Sequence, residues 1–142
     1  MEFTGFQCRI CSGRLVPRLN ELVCSNCNFV QHPIKDIDIS ISCEALKKKI
    51  DKREELILLD VRERWEHGMV NLTNSVLMPL RELKNGISKL DKNKVVVVLC
   101  HTGDRSNYAA RYLLQNGFRT VKNLEGGINA WATRIDQSMK RY

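Results

Sequence analysis

Four cysteines near the start of the chain have the spacing of a metal site. Cys8 and Cys11 form one Cys-x2-Cys pair, and Cys24 and Cys27 form a second pair after an interval of twelve residues. Two such pairs, each in a hairpin-like turn, place four thiolates tetrahedrally at about 2.3 Å from a zinc ion. A segment of about 35 residues buries too little apolar surface to fold alone, so a metal would supply much of its folding energy. We expect one structural Zn²⁺ ion; disulfides or free thiols are the alternative.

A further cysteine, Cys100, directly follows the most apolar run of the chain, residues 95–99. It is followed by a short loop and a predicted helix, with the sequence His101-Thr102-Gly103-Asp104-Arg105-Ser106. Such a strand–loop–helix turn directs backbone N–H groups and the positive end of the helix dipole at the sulfur. Gly103 permits a positive φ, and Arg105 adds a positive charge. We therefore predict a thiolate at the mouth of the sheet that can carry an anionic adduct such as a persulfide. An ordinary loop after a buried cysteine is the alternative.

The rest of the chain alternates predicted strands and helices, which position this loop. Apolar runs predict strands at residues 56–59, 76–78, 95–99 and around 121, with the strand at 95–99 in the centre of the sheet. Apolar spacings of three and four predict helices after Ser42, over 80–90, over 106–116 with a stop at Gly117, and over 127–131. Residues 31–41 indicate an extended connector or edge strand. This alternation indicates an α/β fold with a mostly parallel sheet and helices on both faces.

Composition limits the class of protein. Of the 142 residues 43% are hydrophobic and 27% charged, which excludes a wholly disordered chain. We predict a small zinc-binding domain at residues 1–39 and an α/β domain at residues 40–142. No apolar run approaches the roughly 20 residues of a membrane span, and no secretory signal is visible, so we expect a soluble, cytoplasmic protein without a membrane partner.

The charge of the chain is positive but dispersed. Lysine and arginine number 23 against 16 acidic residues, for a formal net charge of +7. The lysines at 47–49 are followed by acidic residues and indicate a solvated helix face, so direct nucleic-acid binding is not expected. The excess favours an anionic substrate or partner through long-range steering.

The cysteine-rich segment resembles a known family. Residues 6–15 (FQCRICSGRL), 21–27 (ELVCSNC) and 32–36 (HPIKD) are similar to the small zinc-ribbon family that includes the activator subunit of tRNA and protein methyltransferases. His32 stands where that family usually has tyrosine, and residues 37–39 depart from its Gly-Ile-Pro ending. The resemblance implies a docking or scaffold module.

Four motifs after residue 40 resemble the signatures of the rhodanese family, in the same order. They are LLDVRE with Glu66 at 58–66, VLMPL at 76–80, CHTGDRS at 100–106 and LEGGINAW at 124–131. Residues 131–142 are further similar to the rhodanese domain that closes molybdopterin-synthase-activating enzymes. The resemblance implies a rhodanese-like sheet and a sulfurtransferase activity.

The same resemblance implies roles for single residues. Cys100 matches the nucleophile that forms a persulfide, with Arg105 beside it as a catalytic residue. Five residues match the cradle that holds the persulfide: His101, Thr102, Gly103, Asp104 and Ser106. Asp60 and Arg62 match the element that braces the active-site loop, and Gly126, Gly127 and Trp131 match packing positions. Residues 68–75 depart from the usual GHIPGA segment. Asp104 partly offsets the charge of Arg105, which weakens the case for thiosulfate as the physiological donor.

Three functions remain open at this point. In the first, a thiosulfate sulfurtransferase-like enzyme receives sulfur from a small donor or a cysteine desulfurase and passes it from Cys100 to a thiol, cyanide or a protein acceptor docked by the ribbon. In the second, the chain is a non-catalytic docking module for a tRNA- or protein-modifying complex. The third, a phosphatase or arsenate reductase, generally needs five residues between cysteine and arginine, and here four separate Cys100 from Arg105. Cys43 is expected to be an inert, buried thiol.

Overall fold

Two antiparallel turns carry the N-terminal cysteine pairs. The computed structural model describes residues 7–8, 10–11, 13–18, 21–31 and 38–142. Within them a three-stranded antiparallel sheet has the order β1 (Leu15–Arg18), β2 (Glu21–Cys24) and β3 (Val30–Gln31). An antiparallel bridge between Gln7 and Arg14 closes the turn that holds the first pair. The HPIKD part of the ribbon resemblance, residues 32–36, lies outside the described residues.

A five-stranded sheet forms the larger part of the molecule. Its strands are β4 (Ser40–Ile41), β5 (Leu56–Asp60), β6 (Val76–Leu77), β7 (Val95–Leu99) and β8 (Thr120–Leu124). Their order is β4-β8-β7-β5-β6, and every pairing is parallel. The valine-rich strand β7 is therefore central, as predicted. The end of the predicted connector forms an edge strand, since β4 begins at Ser40 and Ile39 packs in the core beside it. Residues 32–37 of that connector lie outside the described residues.

Helices connect the strands and cover both faces of the sheet. They are α1 (Cys43–Asp51), α2 (Arg64–Met69), α3 (Leu83–Gly86), α4 (Asp104–Gln115) and α5 (Gly127–Arg134). The Ser42 hydroxyl accepts a hydrogen bond from the Ala45 N–H and caps α1, and Gly117 follows α4 with a φ of 89°. Both signals were predicted. Within the described residues, no helix has the length and apolar character that a membrane crossing requires.

Alternation along β7 divides the core in two. Val96 and Val98 pack with α4 residues on one face, and Val97 and Leu99 pack with residues of α1 and α5 on the other. All four side chains are fully buried. The fold class is therefore the predicted one, a parallel sheet with helices on both faces, which brings the carboxyl ends of β5, β7 and β8 to one edge.

Two segments differ from the prediction. The single helix predicted over residues 80–90 is three short turns, a 3-10 turn at Leu80–Glu82, then α3, then a 3-10 turn at Ile87–Lys89. The backbone at Gly86 approaches Met78 closely, since an added Cβ would lie 2.7 Å from its sulfur. The second difference is α2, which the sequence pattern did not predict.

Candidate active site and metal centre

Cys100 lies where the central strand ends and the loop to α4 begins. Its Sγ accepts a hydrogen bond from the Gly103 N–H at 3.1 Å and lies 3.2 Å from the Ser106 Oγ. Gly103 has the positive φ that the sequence predicts, 117°. It is the residue before α4, which begins at Asp104, two residues earlier than predicted. One inward amide, one hydroxyl and the amino end of a twelve-residue helix therefore face the sulfur. The amide and the helix end favour negative charge on it, and the hydroxyl does so when its proton points at the sulfur.

The thiol is less accessible than its predicted place at the mouth of the sheet suggests. Cys100 is only 1% exposed. The loop that covers it is itself at the surface, because Thr102 and Asp104 are exposed and His101 is half-buried. Cys100 is therefore buried, whereas the loop residues that follow it in the sequence reach the surface.

The start of α5 fixes the orientation of the loop peptides. The N–H of Ile128 donates to the Cys100 carbonyl at 2.9 Å, and the N–H of Asn129 donates to the His101 carbonyl at 3.0 Å. In a trans peptide the C=O and the following N–H point in opposite directions, so the N–H groups of His101 and Thr102 point away from α5. Gly127 makes this approach possible, since its φ is 62° and an added Cβ would lie 2.5 Å from both carbonyl oxygens. Gly127, which was predicted to be a packing position, thus packs against the Cys100 loop.

Arg105 is held by a carboxylate from another element. Its guanidinium donates to both oxygens of Glu66 on α2, at 2.7 and 2.9 Å. Glu66 is buried, and the sequence marks it only as part of a motif. The carboxylate paired with Arg105 is therefore Glu66; Asp104, which was predicted to offset part of the same charge, is exposed.

The pairing makes the stability of the fold depend on pH. Hydrogen bonds from Arg105 lower the pKa of Glu66 from its ordinary value of 4.5 to about 2. Because the folded pKa lies below the unfolded one, the stabilisation is complete above about pH 4.5 and is lost as the pH falls toward 2.

We expect Glu66→Gln to lower the free energy of unfolding at pH 7 by about 2 kcal/mol, since it leaves a half-buried guanidinium without its counter-charge. Urea unfolding between pH 7 and pH 3 should also show a weaker pH dependence than in the wild type. Glu82→Gln is the matched control, because Glu82 pairs with Arg64 in the same bidentate way but at an exposed site. Equal losses in the two variants would contradict the prediction.

Asp60 and Arg62 form a fully buried ion pair at the end of β5. The Arg62 Nη2 lies 2.7 Å from the Asp60 Oδ2. Arg62 also donates to the carbonyls of Glu66 and Val70, so it fixes the two ends of the last turn of α2. The His67 ring lies 2.8 Å from the same Asp60 oxygen. The Asp60–Arg62 pair thus supports α2, which carries Glu66. Because Glu66 holds Arg105, the pair supports the Cys100 loop indirectly.

Two aromatic residues near the loop were not predicted from the sequence. The Tyr142 hydroxyl accepts from Arg62 and donates to Glu66, at 2.9 and 2.8 Å. Its ring stacks on His101 with the centroids 4.1 Å apart, and Trp65 meets it edge-on at 5.8 Å. Residues so distant in sequence carry no local signal for this contact.

The four N-terminal cysteines converge on one point. Their sulfurs all lie within 4.8 Å of one another, with Cys8 Sγ 3.7 Å from Cys27 Sγ and Cys11 Sγ 3.4 Å from Cys24 Sγ. A tetrahedral zinc site with bonds of about 2.3 Å needs sulfurs about 3.8 Å apart, so the set fits a metal ion.

Backbone donors and a close glycine support the same centre. The N–H groups of Ile10, Asn26 and Cys27 each lie 3.4 Å from a cysteine sulfur, as expected for thiolate acceptors. An added Cβ at Gly13 would lie 2.9 Å from the Cys24 sulfur, so this position has no room for a larger residue. The four cysteines could therefore hold a metal ion, which would tie the two turns together.

Cys43 lies apart from both centres. It is 1% exposed, and its thiol is directed at the Glu125 carbonyl at 3.8 Å. Burial raises the pKa of this thiol, which disfavours the reactive thiolate. This agrees with the predicted inert thiol.

Known proteins resemble the larger part of the chain. The family model described as "Rhodanese-like domain" matches residues 42–134. The "Putative sulfurtransferase YtwF" of Bacillus subtilis is 42% identical over 91 residues, which are 64% of this chain and 87% of that protein. The "Putative sulfur carrier protein YrkF" of the same organism is 36% identical over 96 residues, 68% of this chain. The "Adenylyltransferase and sulfurtransferase MOCS3" of Arabidopsis thaliana is 30% identical over 118 residues.

Coverage of these relatives is partial in two cases. The chain spans 52% of YrkF and 25% of MOCS3. Among solved structures, a rhodanese-related protein from Thermoplasma volcanium has a TM-score of 0.62 and 32% identity, and the match covers 68% of this chain and 92% of that one. The predicted resemblance to rhodaneses, including those of molybdopterin-synthase-activating enzymes, is confirmed. The cluster of four cysteines fits a zinc ribbon in general.

Proposed function

The chain belongs to the rhodanese-like domain family, and from this premise we propose that it is a sulfurtransferase that carries sulfane sulfur as a persulfide on Cys100. Relatives named as sulfurtransferases support sulfur transfer in general. The observation that carries the specific proposal is the hydrogen bond from the Gly103 N–H to the Cys100 sulfur at the amino end of α4. This arrangement stabilises an anion on that side chain.

The reaction has two half-reactions with a covalent intermediate. The Cys100 thiolate attacks the outer sulfur of a donor such as thiosulfate, whose S–S bond breaks and releases sulfite with the electron pair. The new Cys100–S–S⁻ carries the negative charge on its terminal sulfur. An acceptor such as cyanide then attacks that sulfur, the bond to Sγ breaks, and its electron pair restores the thiolate.

The charges around the loop bear on the choice of donor. Arg105 is neutralised by Glu66, so the dianion thiosulfate gains less from it than from a free guanidinium. We propose that thiosulfate serves as a donor in the assay, whereas a small persulfide or a cysteine desulfurase supplies sulfur in the cell. We place the reaction in a reducing, cytoplasmic compartment, because free cysteines such as those of the described chain persist there.

The ribbon supplies the proposed second function, the docking of an acceptor. We divide the chain into a zinc ribbon at residues 1–39 and a rhodanese domain at residues 40–142. The four cysteines would hold one structural Zn²⁺ ion, whose role is to fix the two turns. One relative is named as a putative sulfur carrier protein, which supports a protein acceptor for the sulfur of Cys100.

Mass spectrometry tests the persulfide directly. After incubation with thiosulfate or with a cysteine desulfurase and cysteine, the wild-type chain should gain one sulfur at Cys100. The Cys100→Ser variant should gain none and lose at least about 1,000-fold in cyanide-dependent turnover, because it has no nucleophile. Cys43→Ser is the matched control, since this buried thiol lies outside the loop.

A docking module without catalysis is the second candidate, and the 1% exposure of Cys100 is the observation that favours it. An unmodified Cys100 after exposure to both donors would establish that reading. Turnover of p-nitrophenyl phosphate that is abolished in Cys100→Ser would instead favour a phosphatase. Its expected absence agrees with the four residues between Cys100 and Arg105.

A further inference from the structure

The buried hydroxyl of Ser106 lies within hydrogen-bond distance of three groups but has only one proton to donate. It lies 3.2 Å from the Cys100 Sγ, 3.2 Å from the Gly103 carbonyl and 2.5 Å from the Asn123 Oδ1. A serine hydroxyl has one proton to donate and two lone pairs to accept with. Only one of the three neighbours can therefore receive the proton at a time.

The orientation of the Asn123 amide follows from its second contact. Its Nδ2 donates to the Gly103 carbonyl at 3.2 Å. A carbonyl oxygen can only accept, so the amide nitrogen must face Gly103 and the amide oxygen must face Ser106. The amide oxygen is then a fixed acceptor at the shortest of the three Ser106 distances.

The protonation state of Cys100 decides which arrangement is consistent. In the thiol state, the S–H can donate to Ser106, which in turn donates to Asn123, and every group has a partner. In the thiolate state, the sulfur accepts from the Gly103 N–H, and it can gain the Ser106 proton as a second donor only if the Asn123 oxygen loses that donor. We propose that Asn123 is a positioning residue that competes with the Cys100 thiolate for the Ser106 proton and so favours the thiol in the resting protein.

Several charged or titratable groups lie on the elements around the Cys100 loop, and none of them is a recorded hydrogen-bond partner of the Asn123 side chain. They are Arg105 and Asp104 of α4, Glu66 of α2, Asp60 at the end of β5 with its partner Arg62, His101 of the loop, Glu125 after β8, and Tyr142. Arg105 and Asp60 are both paired with an opposite charge.

The proposal deepens the proposed function, because Cys100 is both the attacking thiolate and the leaving group of the two half-reactions. When an acceptor takes the terminal sulfur, the electron pair of the broken bond stays on Sγ. The Ser106 proton can then turn from Asn123 to the new thiolate without any exchange with solvent. Ser106 thus supplies a hydrogen-bond donor when charge forms on Sγ. A proton from solvent then converts the thiolate to the thiol, the Ser106 proton returns to Asn123, and the thiol proton leaves to solvent again before the next attack.

The test is the pKa of the Cys100 thiol, measured from the pH dependence of its iodoacetamide alkylation and followed at that residue by mass spectrometry. Asn123→Ala frees the Ser106 proton for the thiolate, so it should lower this pKa by about half to one unit and speed alkylation several-fold below neutral pH. Ser106→Ala removes the donor, so it should raise the pKa by about one unit. The double variant should match Ser106→Ala, since Asn123 acts only through the hydroxyl.

Asn116→Ala is the matched control, because it removes an amide-to-carbonyl hydrogen bond at the opposite end of α4 and should leave the Cys100 pKa unchanged. A merely structural role for Asn123 predicts shifts of the same sign in the two single variants, and that result would overturn the proposal. So would an unchanged or raised pKa in Asn123→Ala. Asn123→Leu repeats the test with a side chain of similar shape. If Ser106→Ala does not raise the Cys100 pKa, the proposal is refuted whatever the two Asn123 variants show.

The assay also separates this proposal from the proposed function. Alkylation reports on the thiol before any sulfur is loaded. A chain that never forms a persulfide but shows the predicted order of pKa values would refute sulfur transfer and leave the role of Asn123 standing. Normal persulfide formation together with a reversed order of the pKa values in the variants would support sulfur transfer and refute the role of Asn123.

Discussion

Gly127→Ala is expected to destabilise the folded chain by about 3 kcal/mol and to reduce sulfur transfer at least about 100-fold. Gly127 has a φ of 62°, which costs an L-residue about 1–2 kcal/mol. Its added Cβ would also lie 2.5 Å from the carbonyl oxygens of Cys100 and His101, so the loop or α5 must move. That movement breaks the two hydrogen bonds by which α5 orients the loop peptides.

Gly68→Ala is the matched control for this variant. Gly68 lies in α2, and an added Cβ there meets nothing within 4 Å. In a helix the change should stabilise the chain by about 0.5–1 kcal/mol and leave sulfur transfer intact. Urea unfolding gives the stabilities, and the extent of Cys100 persulfide formation gives the state of the loop independently of turnover. A Gly127→Ala chain with wild-type stability and persulfide formation would show that the close approach of α5 does not matter.

Local patterns were sufficient for the elements that carry the site. The run of valines identified β7 as the central strand because only a strand covered on both faces is apolar throughout. Gly103 and the helix signals after it placed Cys100 at a strand-to-helix turn, which the structure confirms. The spacing of the four cysteines was enough to predict their convergence, because metal ligands leave a sequence signature of their own.

The groups that support the site could not be predicted in the same way. Glu66, Arg105 and Tyr142 meet from three separate parts of the chain, so no window of the sequence holds their contact. The sequence does show a polar residue, Asn123, near the end of β8, and a polar side chain at such a position needs a hydrogen-bond partner. That partner, the Ser106 hydroxyl, becomes evident only when the strand and α4 pack together.

The missed helix α2 has a tertiary cause. A helix of six residues is too short to be stable through its own hydrogen bonds or to show a clear apolar period. Here Arg62 donates to two carbonyls of its last turn, and the side chain of Glu66 accepts from the Glu63 N–H at its start. Glu66 thus stabilises the start of the helix and also holds Arg105, while Arg62 stabilises the end of the helix. Local structure and site are consequently coupled in this part of the chain.

Removal of the metal is expected to unfold the ribbon and to leave the five-stranded sheet intact. The described core of the ribbon consists of two of the cysteines with Leu15 and Phe29, so burial alone gives it little stability. Binding of a structural zinc ion typically supplies about 10–16 kcal/mol to such a segment. Cys24→Ser, or a chelator on the wild type, should abolish the one equivalent of bound zinc. Amide hydrogen exchange should then rise at least about 100-fold across residues 15–31.

The outcome at Cys100 separates a docking role from a folding role for the ribbon. Cyanide-dependent turnover should stay within about two-fold of the wild type, because the small acceptor needs only the loop, whereas transfer to a protein acceptor should fall strongly. Cys43→Ser is the control, since this buried cysteine lies outside the metal cluster and its replacement should leave the zinc content unchanged. The ribbon and the larger domain are in contact, since the side chain of Arg119, the residue before β8, donates a hydrogen bond to the Ile10 carbonyl. If exchange in β7 rose together with exchange in the ribbon, the ribbon would be part of the fold of the catalytic domain and its independent docking role would be refuted.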